Sequence, residues 1–277
     1  MSGKLVNFKE SKLESWRSLL SAAAREYGNI YIFIDTETTG TSTFDDNLAQ
    51  YHRVLEFSCV FTYRDRDGFC HVIKDQRGSP VCIDEPMNPF VDADSSKSAI
   101  AKKSVNKLSE DNIRVHGLSI PFLFGEEEGP APFRRSQLKH PAPSYTQVFD
   151  AFSKLISFDG YMDDNIDIYG VFHNAPFDLR FLNQESDIFQ KHIFESFFCS
   201  IDTQVAAKKI LPKRLVKLKD SSKASYSLDR CYEAVLDMHP DVVNAVDRPI
   251  HTALIDSMIT LEMFNGLNAE INRLRRA

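Results

Sequence analysis

The chain has 277 residues, of which 43% are hydrophobic and 26% charged, as in an ordinary globular protein. This composition argues against wholesale disorder, a collagen-like chain and a disulfide-stapled miniprotein. The 33 basic and 39 acidic side chains give a net charge of −6. That balance argues against a broadly basic nucleic-acid coat protein, although it leaves room for a local nucleic-acid site.

The N-terminus and the cysteines indicate the compartment. The first residues carry charges but no apolar signal-peptide core, and the apolar run 30–34 is too short to span a bilayer. Five cysteines without a C-x-x-C pair predict free thiols, rather than a zinc site or a disulfide framework. We therefore expect a cytoplasmic protein with no membrane partner. A protein exported without a cleavable signal would look the same.

The first part of the chain predicts a helix followed by strands. Residues 8–27 have the apolar spacing of an amphipathic helix. Aromatic and β-branched residues predict a buried strand at 30–34. Two more strands are expected at about 53–63 and 69–74, joined by a hairpin turn at Asp67-Gly68.

Two loop-like regions follow, and then the pattern becomes regular. Proline, glycine and serine predict irregular loops over 75–103 and 121–143, with a short helix at about 104–115 between them. Helices and strands alternate after residue 145: a helix near 148–156, a strand at 166–172, a helix after Pro176, a strand ending near 201, and helices near 202–211, 226–236 and 251–266. This order predicts an α/β or α+β domain around a mixed sheet.

Two carboxylates follow the first buried strand in FIDTETTG, residues 33–40. Side chains alternate along a strand, so Asp35 and Glu37 project to the same side. Two carboxylates at a buried edge repel each other and lose hydration, so either one takes up a proton or cations compensate both. Hard oxygen ligands suit Mg²⁺ or Mn²⁺. An ordinary Asp and Glu at an exposed strand end is the alternative.

A second acidic segment is HNAPFD, residues 173–178, which follows the strand at 166–172. Asp178 falls in the first turn of the helix predicted there. The helix dipole favours a carboxylate at this position. Taken alone, the segment is therefore explained by helix formation without any catalytic role.

A third segment, HTALID at 251–256, opens the last predicted helix. Residues five apart lie about 140° apart around a helix, so His251 and Asp256 converge only if His251 lies at or before the helix start. Pro249 favours that placement. Such a histidine would be solvent-reachable, as a general base should be. A surface histidine beside an exposed helical aspartate is the alternative.

Together the three segments resemble the DEDDh 3′–5′ exonucleases of the DnaQ-like group, especially its DNA-proofreading branch. Five residues match the family motifs: Asp35 and Glu37 in DTETTG, Asp178 in HNAPFD, and His251 with Asp256 in H-x-A-x-x-D. V-L-E-F at 54–57, V-H-G-L at 115–118 and S-L-D at 227–229 are also similar. The resemblance covers roughly 30–64, 112–120 and 145–266.

The resemblance implies a ribonuclease H-like α/β fold with a mixed central sheet of about five strands flanked by helices. It also implies phosphodiester hydrolysis with two divalent cations, Mg²⁺ or Mn²⁺. The cations would be held by Asp35, Glu37, Asp178 and Asp256, and His251 would be the general base. The terminal nucleotide would be held by Thr38, Gly40, His116, Asn174 and Phe177.

The implied activity is release of nucleoside monophosphates from single-stranded 3′ ends, with DNA favoured over RNA. Two alternatives are a 3′–5′ exoribonuclease on the same fold and a non-catalytic nucleic-acid-binding module. The intact set of five residues argues against the second alternative, because a degraded copy would usually have lost one. An unrelated hydrolase lacks a supporting G-x-S-x-G or Cys-His signature.

We expect a helical extension at 1–28 and an exonuclease domain at 29–277, with loop insertions at about 75–111 and 121–144. No linker or polymerase-binding tail is recognisable after the last motif, which argues against a polymerase partner; the oligomeric state stays open. A basic run after Asp202 either follows a nucleic-acid strand or forms a solvated loop: Lys208, Lys209, Lys213, Arg214, Lys217, Lys219 and Lys223.

Overall fold

The protein is described from a computed structural model. The structure describes residues 9–43, 52–89, 110–126, 142–157, 166–189, 199–217, 223–246 and 251–276. Within these ranges no helix is both long and apolar enough to cross a membrane. All five cysteines are described and are free thiols, as the sequence predicts.

The described strands form one mixed sheet of six. Their bounds are β1 Asn29–Thr38, β2 Val54–Arg64, β3 Cys70–Val72, β4 Cys82–Pro86, β5 Asp167–Phe172 and β6 Cys199–Asp202. The order is β3-β2-β1-β5-β6, and β4 also pairs with β2. β1 is antiparallel to β2 and parallel to β5, which is parallel to β6. The predicted mixed sheet flanked by helices is therefore confirmed, with one strand more than expected.

The helices of the described part lie close to their predicted positions, except for a short helix at Ile120–Leu123, which falls at the start of the region 121–143 predicted to be a loop. Pro121 is tolerated there because it lies in the first turn of that helix. The bounds of the helices are α1 Glu10–Tyr27, α2 Glu110–His116, α3 Ile120–Leu123, α4 Tyr145–Ile156, α5 Ala175–Phe189, α6 Thr203–Ile210, α7 Leu228–Met238 and α8 Ala253–Arg276. A capping box formed by Ser144 and Gln147 fixes the start of α4. The last helix continues past its predicted end at 266.

β4 corrects the prediction that 75–103 is irregular. It forms an antiparallel ladder with β2, from Cys82 opposite Val60 to Pro86 opposite Glu56. Prolines in the sequence favour a loop, but a proline is also tolerated at the end of an edge strand. The expected loop insertion at about 75–111 therefore contains a strand, and 90–109 lie outside the described residues. Of the insertion at 121–144, residues 127–141 also lie outside them.

The two faces of β1 pack against different helices, and this arrangement prepares the site. Ile32 and Ile34 lie in a core with residues of α1 and α4. Tyr31 and Phe33 lie in a second core on the opposite face, with Phe264 of α8. Each face of the strand is therefore fixed by burial before the strand reaches its polar end.

Candidate active site

The polar end of β1 continues the alternation of its buried part. Tyr31 and Phe33 face α8, so Asp35 and Glu37 lie on that face too. Thr36 lies on the opposite face, towards α5. The strand therefore presents two carboxylates to α8 and a threonine to α5.

Three carboxylates meet on the α8 face. One oxygen of Asp35, one of Glu37 and one of Asp256 all lie within 4.8 Å of one another. Asp256 is 7% exposed, while Asp35 and Glu37 are partly buried. The prediction that Asp35 and Glu37 project the same way is confirmed, and Asp256 joins them. We call these three residues the acidic cluster.

Asp178 approaches from the α5 side of the strand. Its Oδ1 accepts hydrogen bonds from the backbone N–H of Thr36 at 3.1 Å and from Thr36 Oγ1 at 2.8 Å. Asp178 is 2% exposed and lies in the first turn of α5, as predicted. Thr36 was missed by the sequence analysis, although its place between the two carboxylates was a signal that it faces the other side.

The start of α8 brings His251 to Asp256. The Thr252 Oγ1 atom accepts the backbone N–H of Ile255 at 3.2 Å, so α8 begins at Ala253. His251 therefore precedes the helix, and its Nδ1 lies 3.3 Å from Asp256 Oδ2. The His251 side chain is 42% exposed. The predicted placement before the helix start is confirmed.

The site concentrates negative charge in a poorly hydrated place. Burial raises the pKa of Asp35 well above its ordinary value, and the charges of Asp178, Asp256, Glu37 and Glu56 add to the rise. Burial likewise raises the pKa of Asp178 to about 7, against the opposing hydrogen bonds from Thr36. These carboxyl groups therefore bind a proton or a cation more readily than ordinary ones do.

Glu56 adds a further carboxylate beside the acidic cluster. It lies directly opposite Glu37 in the β1–β2 ladder and is fully buried. Like charges directly opposite each other in a ladder are destabilising. The resemblance of V-L-E-F at 54–57 to the family does not assign Glu56 to the site, and only the strand register reveals its position.

The turn after β1 is tied to the start of β2. The Thr39 N–H donates to the Arg53 carbonyl at 2.9 Å, and the Arg53 N–H donates to Thr39 Oγ1 at 2.9 Å. A Cβ at Gly40 would clash with the ring of His52. Glycine at position 40 therefore permits the close approach of His52 to this turn.

A buried ion pair anchors the same turn to α5. Arg53 Nε and Nη2 donate to the two oxygens of Glu185, each at 2.7 Å. The backbone N–H of Val54 also donates to Glu185, at 3.1 Å. Both charged side chains are 1% exposed. Because α5 also carries Asp178, this pair holds the helix that carries Asp178 against the start of β2.

The predicted nucleotide-binding residues are placed at several points around the site. Thr38 Oγ1 donates to the Gly40 carbonyl at 2.7 Å. Asn174 has φ 69°, in the left-handed region, directly before α5. Phe177 is partly buried, with its ring centroid 5.1 Å from that of Phe181. Their contact with a nucleotide stays a prediction.

His116 lies at the end of α2 and is buried. Its Nδ1 accepts the backbone N–H of Leu118 at 3.1 Å, and burial lowers its pKa to about 4. Within the described ranges it makes no hydrogen bond to any of the four predicted metal-binding carboxylates. Its role at the site therefore stays a prediction as well.

The acidic cluster fits divalent cations. Three carboxylates converge, burial disfavours leaving them all ionised, and hard oxygen donors are the ligands that Mg²⁺ and Mn²⁺ prefer. Asp178 is close enough to raise the pKa of Asp35, although its Oδ1 is held by Thr36. Asp35, Glu37 and Asp256 form the cluster, and Asp178 stands beside it.

Comparison with known proteins gives one relative by sequence. No protein-family model matches the chain. Over 153 residues it is 26% identical to DNA polymerase III subunit epsilon of Buchnera aphidicola, across 55% of this chain and 47% of that protein. The chain therefore spans about half the length of this relative.

Solved structures give weaker similarities. The nuclease domain of 3′hExo, a DEDDh family member, bound to rAMP, matches with TM-score 0.48 and 12% identity, covering 89% of this chain and 92% of that one. The RNase domain of yeast Pop2 matches with TM-score 0.45 and 15% identity, covering 95% and 84%. The Mg²⁺- and Mn²⁺-bound form of S. pombe Pop2p matches with TM-score 0.45 and 10% identity, covering 93% and 89%.

Proposed function

We propose that this chain is a metal-dependent 3′–5′ exonuclease that releases nucleoside monophosphates from single-stranded 3′ ends and prefers DNA to RNA. Its predicted resemblance to the DnaQ-like DEDDh exonucleases is confirmed by its sequence relative. The observation that carries the proposal is the convergence of Asp35, Glu37 and Asp256, with His251 hydrogen-bonded to Asp256. The DNA preference is supported by the DNA polymerase subunit to which the chain is similar.

The carboxylates would hold two divalent cations, Mg²⁺ or Mn²⁺. Two such ions activate an attacking water and stabilise a departing oxygen. Asp35, Glu37 and Asp256 supply the converging oxygen atoms, and Asp178 acts from the other side of β1. Burial, together with repulsion from neighbouring carboxylates, raises the pKa of Asp35 and of Asp178, and a bound cation would offset both effects.

His251 would take the proton of the attacking water. A neutral imidazole that donates from Nδ1 to Asp256 has its basic lone pair on Nε2. The water oxygen then forms a bond to phosphorus, the bond from phosphorus to the 3′ oxygen of the preceding nucleotide breaks, and solvent protonates that oxygen. The products are a nucleoside 5′-monophosphate and a strand one nucleotide shorter.

The terminal nucleotide would lie between the turn after β1 and the start of α5. Thr38 and the backbone at Gly40 would contact it from the turn, and Asn174 and Phe177 would contact it from the start of α5. The left-handed backbone of Asn174 directs the chain into α5 next to Asp178. His116 is proposed as a further wall of this pocket.

Cleavage of labelled strands tests the proposal. A 5′-labelled oligodeoxynucleotide and its RNA counterpart are incubated with Mg²⁺, with Mn²⁺ and with chelator. We expect a ladder shortened from the 3′ end that forms faster on DNA and disappears with chelator. Asp256→Asn should reduce cleavage to background, because it removes one charged ligand from the acidic cluster.

Two matched variants control for surface effects. Asp237→Asn changes an exposed aspartate on α7 and should cut like the wild type. His251→Gln should slow cleavage by about 10²–10⁴-fold. His71→Gln should leave the rate of cleavage unchanged. It is a matched control because His71 is also half-exposed and hydrogen-bonded to an aspartate, Asp65, at 2.6 Å. A wild type that shortens neither polymer with either metal would refute the proposal; faster cutting of RNA would refute the DNA preference alone.

A further inference from the structure

An exposed basic surface begins beside the candidate site. Its described members are Lys208, Lys209, Lys213, Arg214 and Lys217, on α6 and the segment 211–217. All five are exposed, and the sequence from 203 to 217 contains no aspartate or glutamate. We call these five residues the basic surface. Its local charge of +5 contrasts with the net charge of −6 for the whole chain.

Packing on the other side of this segment directs the basic side chains outward. Ala207, Leu211 and Val216 are buried in a core that includes Val235 of α7 and Met263 of α8. The Ser225 N–H donates to the Val216 carbonyl at 2.8 Å, and this bond holds the segment after α6 in place. The basic surface is therefore the outer side of a packed element.

Hydrogen bonds join the start of α6 to the loop that leads to Asp178. Asp202 Oδ1 accepts the N–H of Gln204 at 2.8 Å, which caps α6, and the N–H of Asn174 at 3.2 Å. Thr203 Oγ1 donates to the Phe172 carbonyl at 2.8 Å. Because α6 has eight residues, its length is about 12 Å. The basic surface thus starts within two helical turns of the loop that leads to Asp178.

Lys208 and His173 interact electrostatically, which supports this placement. The pKa of His173 is lowered mainly by burial, and the charge of Lys208 lowers it further. His173 directly precedes Asn174 in the chain and lies within 3.1 Å of Thr203 Oγ1. Lys208, at one end of the basic surface, therefore acts on a residue of the HNAPFD segment.

We propose that the basic surface binds the phosphates of the nucleic-acid strand upstream of the nucleotide held in the site, an inference that rests on the proposed function. A strand entering a site with several carboxylates meets repulsion, and cations offset it only at the terminal phosphate. A neighbouring row of lysine and arginine attracts the phosphates further along, whatever the base sequence. The surface therefore favours strands of several nucleotides over dinucleotides.

Binding measured in chelator tests this inference without cleavage. The probe is a 5′-fluorescein single strand of about 12 nucleotides, within the range covered by single-strand grooves. The variant carries Lys209→Gln, Lys213→Gln and Arg214→Gln. Fluorescence anisotropy should show affinity lower by on the order of tenfold or more at low salt. The negative slope of log affinity against log salt should become less steep by about two, since each phosphate contact in a single strand contributes about −0.7 to it.

A matched triple variant separates local binding from a general loss of positive charge. Arg66→Gln, Lys74→Gln and Arg77→Gln remove three exposed basic residues that follow the C-terminal end of β2, whereas Glu56 lies near the start of that strand. This control should keep the wild-type affinity and salt slope. The exchange Lys209→Arg, Lys213→Arg and Arg214→Lys should also keep them, because it preserves the charge.

Equal losses in the two glutamine triples, or no loss in either, would overturn the inference. Failure of the proposed function looks different, because the wild type would then cut no strand with Mg²⁺ or Mn²⁺. Binding in chelator is read independently of that result. Thermal unfolding of each variant shows whether a loss of affinity reflects a loss of folding.

Discussion

Two groups of buried charge lie where β1 ends and β2 begins, and they are built in opposite ways. At the Arg53–Glu185 pair, one positive and one negative side chain meet through two hydrogen bonds of 2.7 Å. At the acidic cluster, three carboxylates converge and Glu56 lies beside them. The fold supplies the compensating charge in the first group, whereas the second is arranged to receive it from a bound cation.

This difference separates a structural use of charge from a functional one. A buried ion pair that is complete within the chain fixes the position of two elements, here the start of β2 and helix α5. A set of like charges costs folding energy and is retained where something binds. Sequence composition alone does not separate these uses, because both consist of ordinary charged residues.

Breaking the complete pair should have the largest effect on stability. Arg53→Met leaves Glu185 buried without its guanidinium partner, so we expect the free energy of unfolding to fall by about 3–5 kcal/mol. Urea unfolding followed by circular dichroism measures this change. Adding Glu185→Gln, which keeps an acceptor for the Val54 N–H, should recover much of the loss. No recovery in the double variant would mean that the arginine acts by packing instead.

The like-charge group should give a smaller effect that depends on pH. The folded pKa of Asp178, about 7, lies above its ordinary value of 3.8, so the folded state binds the proton more tightly than the unfolded state. In chelator, this residue therefore stabilises the fold at low pH, and the contribution is lost as pH rises from about 4 to about 7. We therefore expect the stability of Asp178→Asn, measured relative to the wild type, to be lower at low pH than at pH 8.

Thermal unfolding of the wild type and of Asp178→Asn at a series of pH values measures this pH-dependent difference in stability. The Asn variant keeps an oxygen that can accept the bonds from Thr36, so a change in packing is not the cause. We expect a difference of up to a few kcal/mol between the two ends of the range. Parallel curves for wild type and variant would contradict the raised pKa of Asp178.

The smallest expected effect concerns a carboxylate whose partners are backbone N–H groups. Asp202→Ala removes the cap of α6, and we expect a loss of about 1 kcal/mol in urea unfolding. Asp202→Asn should lose less, because its amide oxygen can still accept these bonds. A loss as large as that of Arg53→Met would show that Asp202 contributes as much stability as a buried ion pair does, and more than a helix cap does.

The sequence predicts most of the site because strand alternation and helix starts are local properties. Asp35 and Glu37 share a face for that reason, and His251 precedes α8 because Thr252 caps the helix. The bond between Asp178 and Thr36 and the position of Glu56 opposite Glu37 depend on how distant elements pack. The sequence does not predict β4 because Pro86 and the nearby Pro80 and Pro89 are as common in loops as at edge-strand ends.

The acidic cluster joins a strand early in the chain to the start of the last described helix. Closing so long a loop costs conformational entropy before any contact rewards it, whereas helices such as α4, with its capping box, form through local contacts. We therefore expect the cluster to form late in folding. During refolding, tight cation binding should appear after most of the helical signal, because a partly folded chain has not yet brought the three carboxylates of the acidic cluster together.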